Sequence, residues 1–191
     1  SSRRNEEPTN LAHARRQIRK ENRPESEMDA LFLEQKKEED AMLAAENVPI
    51  APEYLMLRIT EALPRDAVMV EEALTSSMSL PGLLPLRDPK SYYGLASGGI
   101  GFAMPGAVGI SLAQPGRPVV AVIGDGSAMY GIQALWTAAH LKLPITYVIA
   151  NNRSYRILKE RLVSMRSTDR FTAMDLRDPE IDFAGNVVFP L

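Results

Sequence analysis

The chain has 191 residues, 22 Lys and Arg against 24 Asp and Glu, a formal net charge of −2, two His and no Cys. This length allows one ordinary domain with some additional chain, and the balanced charge argues against a nucleic-acid-binding protein. The lack of Cys excludes disulfides and thiolate metal sites. With only two His, we do not expect a metal centre built mainly on histidine ligands. No apolar run reaches the roughly 18 residues of a membrane span, and no signal core follows the N-terminus, so we expect a cytoplasmic protein with no membrane partner.

Residues 1–47 differ in composition from the rest of the chain. They include nine Lys or Arg and eleven Asp or Glu, and their few apolar residues are scattered. Such a segment cannot bury much surface by itself. Helix-forming residues dominate, so we expect a charged helical linker that packs loosely on its neighbour, with a dedicated interaction arm as the alternative. From residue 48 onward the composition is that of a globular domain, which we expect to extend to residue 191.

This second segment alternates short apolar runs with helix-forming stretches. The expected helices cover residues 52–63, 102–113, 132–141 and 155–163, and the expected strands cover 67–70, 91–96, 119–123 and 145–150. The last two strands are apolar enough to be buried on both faces of a parallel sheet. The alternation with short connections predicts an α/β fold, a doubly wound and mostly parallel sheet flanked by helices. Ligands bind such sheets beyond the carboxyl ends of the strands.

One polar segment at a predicted carboxyl end is Gly124-Asp125-Gly126, which directly follows the strand over residues 119–123. The glycines allow a sharp turn and a close approach to a ligand, and the helix start that follows offers N–H groups suited to phosphate. Asp125 then stands at the strand end as a hard oxygen ligand. By itself a Gly-Asp-Gly sequence is most often only a turn.

A second polar segment, Asn151-Asn152 followed by Ser154, comes after the next strand. The amide of Asn152 and the backbone carbonyl near Ser154 offer neutral oxygens. Together with a carboxylate, diphosphate oxygens and a water, they would complete the octahedral shell that Mg²⁺ prefers. Taken alone, two asparagines before a helix are usually a cap.

The combination of the two segments resembles the thiamine diphosphate-binding motif. The similarity extends to SYYG at residues 91–94, ASGGIGFAMP at 96–105, AVIGDGSAMY at 121–130 and ALWTAA at 134–139. These sequences resemble those of the thiamine diphosphate-dependent enzymes, and within them the benzoylformate decarboxylase group. The resemblance covers about residues 52–183.

The resemblance implies roles for ten residues. The implied metal ligands are Asp125, Asn152 and Ser154, the last through its backbone oxygen. The implied cofactor-binding residues are Gly124, Gly126, Ser127 and Tyr155 around the diphosphate, and Gly98 and Ile100 beside the pyrimidine and thiazolium rings. Glu72 aligns with an acidic position beside the substrate and cofactor pocket, which we predict to be catalytic.

Two of these residues have simpler alternatives. A branched apolar side chain such as Ile100 suits a wedge that bends the cofactor, yet at a helix start it is more often part of a core. Glu72, judged without the resemblance, is equally well a surface charge at a strand end.

The function that the resemblance implies is decarboxylation of a 2-oxo acid resembling benzoylformate, with thiamine diphosphate and Mg²⁺ as cofactors. We expect this chain to be the cofactor-binding part of such an enzyme. Its expected partner is a pyrimidine-binding domain of the same or a neighbouring subunit, which supplies the activating glutamate. The isolated chain is then inactive, and the complete enzyme is a homo-oligomer. The alternatives are an acetolactate synthase-like carboligase and a non-catalytic fragment that binds Mg²⁺ and diphosphate.

The sequence departs from the family pattern in two places. Arg153 stands where a glycine is common after the two asparagines. The similarity also stops after Ala184, where a further helix and strand are expected. We therefore expect a C-terminally incomplete domain with one unpaired sheet edge.

Overall fold

The computed structural model describes residues 49–184. The linker expected over residues 1–47 lies outside the described residues, as do residues 185–191. The described residues divide into two compact units, one with residues 49–62 and 78–85 and the other with residues 63–77 and 86–184. Each unit is described by itself.

The first unit contains helix α1 (Pro52–Ala62) and the single-turn helix α2 (Leu80–Leu83). Helix α1 begins at a proline, whose fixed φ suits the first helical position, and ends shortly before Pro64. Its buried residues are Met56, Leu57 and Thr60. The Thr60 hydroxyl donates to the Met56 carbonyl at 2.8 Å, which satisfies that polar group away from water.

The second unit is built on a four-stranded sheet. Its strands are β1 (Val68–Glu72), β2 (Tyr92–Gly94), β3 (Val119–Gly124) and β4 (Ile145–Ala150), in the order β2-β1-β3-β4. All three pairings are parallel. The predicted α/β class with a parallel sheet is therefore confirmed. Strand β1 runs two residues further than predicted and includes Glu72, whereas β2 is shorter than predicted.

Four helices accompany these strands: α3 (Ala103–Ala113), α4 (Asp125–Ala128), α5 (Ala134–His140) and α6 (Arg156–Arg166), together with a 3₁₀ turn at Leu74–Ser76. The buried face of α3 joins β1 and β3 in one apolar core, which includes Met104, Val70 and Ile123. Helix α5 is shorter than the predicted range of 132–141 and ends at His140.

Strands β3 and β4 differ in burial. In β3, Val119 and residues 121–123 are buried, as predicted. In β4 only Ala150 is buried, and the other residues are partly or fully exposed. The prediction of a strand buried on both faces is wrong for β4, which is also an edge strand of the sheet in the described part of the chain.

The strand order also identifies where a ligand would bind. The chain passes from β1 outward to β2, then crosses back to β3 and continues to β4, so the connections after β1 and β3 leave in opposite directions. Such a reversal opens a crevice at the carboxyl ends of the two strands. Glu72 pairs with Ile123 in the sheet, and Asp125 follows two residues later, so both carboxylates lie at this crevice. Within residues 49–184, no helix has the length and apolar character required to cross a bilayer.

Candidate functional site

Asp125 directly follows the last residue of β3 and is the first residue of the one-turn helix α4. Its side chain is only 2% exposed. Its Oδ2 atom accepts a hydrogen bond from the backbone N–H of Ser154 at 3.2 Å. Burial raises the pKa of the Asp125 carboxyl, and hydrogen bonds from the backbone amides of Gly126, Ser154 and Arg153 oppose that rise. The carboxylate is thus held in place by backbone donors from two different strand ends.

Asn152 meets Asp125 at the same backbone group. Its Oδ1 atom accepts from the Ser154 N–H at 2.9 Å, so an amide oxygen and a carboxylate oxygen converge on one donor. Ser154 is fixed in turn by its hydroxyl, which donates to the Met174 carbonyl at 3.0 Å. The three predicted metal residues therefore lie together at the carboxyl ends of β3 and β4.

The chemistry of this donor set suits a hard cation. A carboxylate, an amide oxygen and a backbone oxygen are ligands that Mg²⁺ accepts. Within the described residues there is no cluster of three or more His, Cys, Asp or Glu side chains that could hold a metal ion. A metal at the carboxyl ends of β3 and β4 would accordingly depend on amide and backbone oxygens in addition to Asp125.

Arg153 forms the turn between Asn152 and Ser154. Its φ of +57° lies in the left-handed region, which is costly for a residue with a side chain. Its N–H donates to Asn151 Oδ1 at 3.1 Å, and its guanidinium pairs with Glu180 at 2.6 Å on an exposed surface. A left-handed conformation at this position explains why a glycine would suit it. This chain makes the same turn with an arginine.

Gly126 and Tyr155 are in close contact beside Asp125. A Cβ atom added to Gly126 would stand 2.5 Å from Cε1 of Tyr155, so only glycine allows the ring this near to the backbone. The Tyr155 hydroxyl is hydrogen-bonded to Tyr130. Burial, followed by the charges of Tyr130 and Asp125 and by this hydrogen bond, raises the pKa of Tyr155. Ser127 is buried next to Gly126. The predicted diphosphate residues, including Gly124 at the end of β3, therefore lie around one backbone turn.

The glycine-rich turn with Gly98 and Ile100 precedes helix α3. Gly98 is exposed with a φ of +75°, and the Ile100 side chain is partly buried. Gly101 has a φ of +103°, and a Cβ there would stand 2.8 Å from Cβ of Tyr130. Tyr130 therefore contacts this turn and also Tyr155, so the two predicted parts of the cofactor site are linked by one side chain.

Glu72 lies at the end of β1 and is fully buried. One of its carboxylate oxygens accepts from the Gly101 N–H and the other from the Ala103 N–H, each at 2.5 Å. The alternative of a surface charge at a strand end is therefore wrong. The contacts observed for this carboxylate are with the start of helix α3, and its catalytic role stays a prediction.

Comparison with known proteins identifies the family. The family model described as thiamine pyrophosphate enzyme, C-terminal TPP binding domain, matches residues 75–187. Thiamine pyrophosphate is another name for thiamine diphosphate. The chain belongs to this family. A second model, described as IgA Peptidase M64, matches residues 2–52, a stretch that lies almost entirely outside the described residues.

Several individual members of the thiamine pyrophosphate enzyme family are similar to this chain. Benzoylformate decarboxylase of Pseudomonas aeruginosa is 44% identical over 117 residues, which are 61% of this chain and 22% of that protein. Among solved structures, the thiamine diphosphate-dependent 4-hydroxybenzoylformate decarboxylase of Rhodococcus jostii superposes with a TM-score of 0.66 at 40% identity, covering 71% of this chain and 25% of that one. Benzoylformate decarboxylase from Polynucleobacter necessarius has a TM-score of 0.66 at 30% identity, covering 73% and 26%. The chain thus spans about a quarter of the length of these relatives.

Acetolactate synthases belong to the same group of relatives. The large subunit from Parasynechococcus marenigrum is 31% identical over 135 residues, which are 70% of this chain and 21% of that protein. The benzoylformate decarboxylase resemblance inferred from the sequence is confirmed, and the thiamine pyrophosphate enzymes that share this domain include both decarboxylases and synthases.

Two features near the candidate site were not identified from the sequence. One is Tyr130, which bridges the glycine-rich turn and Tyr155. The other is Glu71, whose carboxylate accepts hydrogen bonds from the Ala73 N–H at 2.9 Å, from the Ser77 hydroxyl and from the Tyr92 hydroxyl at 3.2 Å. Side chains of successive strand residues point to opposite faces, so the adjacent Glu71 and Glu72 serve different sides of the sheet. This alternation is the sequence signal that predicts different surroundings for Glu71 and Glu72.

Proposed function

We propose that this chain binds thiamine diphosphate and Mg²⁺ as the cofactor-binding part of a decarboxylase that acts on a 2-oxo acid resembling benzoylformate. The observation that carries the proposal is the convergence of Asp125 and Asn152 on the Ser154 N–H at the carboxyl ends of β3 and β4. The similarity to benzoylformate decarboxylases supports the choice of reaction and substrate class.

In this proposal the metal is held by the Asp125 carboxylate, the Asn152 amide oxygen and the backbone oxygen of Ser154. Three protein oxygens leave room in an octahedral shell for two diphosphate oxygens and one water. The carboxylate is nearly inaccessible to bulk solvent, which strengthens its interaction with a cation. The residues fit the cofactor's anionic end because they supply hard oxygen donors beside a buried backbone turn.

The remaining predicted residues would hold the organic part of the cofactor. Gly126, Ser127 and Tyr155 would surround the diphosphate, while Gly98 and Ile100 would contact the rings. When bound, thiamine diphosphate supplies the carbon nucleophile and the electron sink for loss of carbon dioxide. The task of this chain is then to bind the cofactor, set the angle between its rings through Ile100, and exclude water from the diphosphate.

Turnover would require a partner domain. The relatives are about four times as long as the matched region, and a pyrimidine-binding domain of the same or a neighbouring subunit would supply the activating glutamate. We therefore propose that the isolated chain binds cofactor without turnover and that the complete enzyme is a homo-oligomer. Weak Mg²⁺-dependent binding with no release of carbon dioxide from benzoylformate is the expected result. Turnover by the isolated chain would contradict this part of the proposal.

An acetolactate synthase-like carboligase is the second candidate, favoured by the similarity to acetolactate synthases. The same cofactor site would serve it, so cofactor binding does not separate the two. The test is the product formed from a 2-oxo acid when the partner domain is supplied. Free aldehyde and carbon dioxide support the decarboxylase, whereas a carbon–carbon ligation product supports the carboligase. A chain that binds Mg²⁺ and diphosphate but gives neither product with any partner is a non-catalytic module.

The metal assignment is tested by isothermal titration calorimetry of thiamine diphosphate with and without Mg²⁺. Asp125→Ala should abolish the Mg²⁺-dependent binding, because it removes the one charged ligand. Asp169→Ala is the matched control, since Asp169 is an exposed carboxylate beyond helix α6. Unchanged affinity in Asp125→Ala would overturn the site, and an equal loss in both variants would show that the effect is not specific to it.

A further inference from the structure

The buried carboxylate of Glu72 connects the end of β1 to the glycine-rich turn that precedes helix α3. It has no exposed surface, and its two oxygens accept hydrogen bonds from the backbone N–H groups of Gly101 and Ala103. Each carboxylate oxygen of Glu72 is therefore bound to a backbone N–H of the turn or of the helix start.

The donors themselves explain why an acidic residue is suited to this place. The first N–H groups of a helix have no partner within it, and Ala103 is the first residue of α3. The partial positive charge at a helix start favours a negative group. Hydrogen bonds between a charged acceptor and backbone N–H groups are about twice as strong as neutral ones. Glu72 thus fixes both the helix start and the residue that follows Ile100.

The turn held by Glu72 is the part of the chain that would meet the cofactor rings. Ile100 directly precedes Gly101, and Gly98 lies two residues before Ile100. Gly98 and Gly101 both have positive φ values, and Gly98 has no neighbouring atoms within 4 Å of a Cβ position. Gly101 also contacts Tyr130, but residues 96–99 are exposed, so the hydrogen bonds from Gly101 and Ala103 to Glu72 link the turn to the sheet and help to fix the place of Ile100.

We propose that Glu72 is a positioning residue, which holds the turn through Gly101 and Ala103 and thereby sets the place of Ile100 against the cofactor rings. The inference rests on the proposed function, because it takes the rings to lie at Gly98 and Ile100. It predicts that Glu72 affects binding of the rings and leaves binding of the diphosphate unchanged.

The neighbouring Glu71 provides a matched control. It is also a glutamate of β1 with a fully engaged carboxylate, but its partners are Ala73, Ser77 and Tyr92 and not the glycine-rich turn. Glu71→Gln and Glu72→Gln remove the same charge from adjacent positions. A difference in binding between the two variants is therefore due to the contact of Glu72 with the glycine-rich turn and not to the loss of a charge from β1.

The experiment compares the full chain with these two variants by calorimetry in the presence of Mg²⁺, using thiamine diphosphate and inorganic pyrophosphate as separate probes. Glu72→Gln should weaken thiamine diphosphate binding about tenfold, which corresponds to one lost hydrogen bond, and leave pyrophosphate binding unchanged. Glu71→Gln should bind both probes as the wild type does. Hydrogen exchange followed by mass spectrometry should show faster exchange of residues 97–104 in Glu72→Gln alone.

Several results would overturn the inference. An equal loss of affinity for both probes in Glu72→Gln would mean a general structural role, and unchanged affinity with unchanged exchange would mean no role. If Glu72→Gln does not fold, Glu72→Asp decides the question, since it keeps the charge but shortens the reach. It should then show the same selective loss for thiamine diphosphate. A wild-type chain that does not bind thiamine diphosphate would overturn the proposed function and the inference with it. A wild-type chain that binds thiamine diphosphate, with no selective loss in Glu72→Gln, would overturn the inference alone.

Discussion

The backbone N–H of Ser154 donates to Oδ2 of Asp125 at 3.2 Å, across the carboxyl ends of two neighbouring strands. The same N–H donates to Asn152, so the oxygens proposed to bind Mg²⁺ are brought together by the chain itself. The carboxylate is 2% exposed and has lost most of its hydration. An ionised group buried in this way is destabilising unless a partner compensates for the lost water.

Replacing Asp125 by Asn should therefore separate stability from binding. Without metal, Asp125→Asn should melt at the same temperature as the wild type or higher, because the variant no longer buries a charge. Mg²⁺ with pyrophosphate at about 100 times the dissociation constant should stabilise the wild type by about 2.7 kcal/mol and the variant by nothing. Differential scanning fluorimetry measures both effects. A variant that retains the ligand-dependent rise would contradict the metal assignment.

The location of this site could be predicted from the sequence because it depends on strand order and on residue type. Asp125 and Asn152 each follow an apolar run, and the carboxyl ends of adjacent parallel strands lie at one edge of a sheet. The burial of β3 followed from its uninterrupted apolar sequence. The resemblance to a known family added the expected roles of residues such as Tyr155, which the patterns alone did not indicate.

Other features could not be predicted because they depend on contacts between distant parts of the chain. Glu72 is separated by 29 residues from Gly101, and nothing in a run of two glutamates shows that one is fully buried. The apolar sequence of β4 predicts a strand covered on both faces, yet the burial of a face depends on what packs against it and not on the strand's own residues. Arg153 was recognised as unusual, but only the backbone shows that its position requires a left-handed conformation.

A second prediction concerns the contact of Gly126 with Tyr155. Gly126→Ala should destabilise the fold by about 1 to 3 kcal/mol, because the new methyl group would overlap the tyrosine ring. Removing the ring in the double variant Gly126→Ala/Tyr155→Ala should recover part of that loss. Urea denaturation of the single and double variants measures the coupling. Simple additivity of the two substitutions would contradict the contact.

Gly109 is the control for this substitution. It is an exposed residue of helix α3, and a Cβ there would meet nothing within 4 Å. Gly109→Ala should stabilise the chain by up to about 1 kcal/mol, since alanine is the better helix former. Opposite signs at Gly109 and Gly126 are the expected result.

A third prediction addresses the left-handed turn at Arg153. Arg153→Gly and Arg153→Ala both lose the exposed ion pair with Glu180. The difference between their free energies of unfolding therefore measures the cost of the left-handed backbone at this position. The glycine variant should be the more stable by about 0.5 to 1 kcal/mol, because relief of the left-handed conformation exceeds the added freedom of the unfolded chain. Urea denaturation provides the measurement. Equal stability of the two variants would show that this φ carries no cost.

The last prediction concerns stability at alkaline pH. Burial, followed by the charge and hydrogen bond of Glu71, raises the pKa of Tyr92 to about 12, and burial raises the pKa of Tyr147 to about 12. The unfolded chain releases these protons near pH 10, so the stabilising contribution is complete below pH 10 and is lost as the pH rises from 10 to 12. Absorbance at 295 nm should therefore show that Tyr92 and Tyr147 ionise well above pH 10 in the folded chain.

Variants assign these two titrations to their residues. Tyr92→Phe and Tyr147→Phe should each remove one late-titrating group and make the free energy of unfolding less dependent on pH between 10 and 12. Glu71→Gln should lower the pKa of Tyr92 toward its ordinary value and leave Tyr147 unchanged, because the Tyr147 hydroxyl donates to the Met104 carbonyl and not to a carboxylate. If all the tyrosines titrate together near pH 10 in the folded wild type, the burial of these two hydroxyls is wrong.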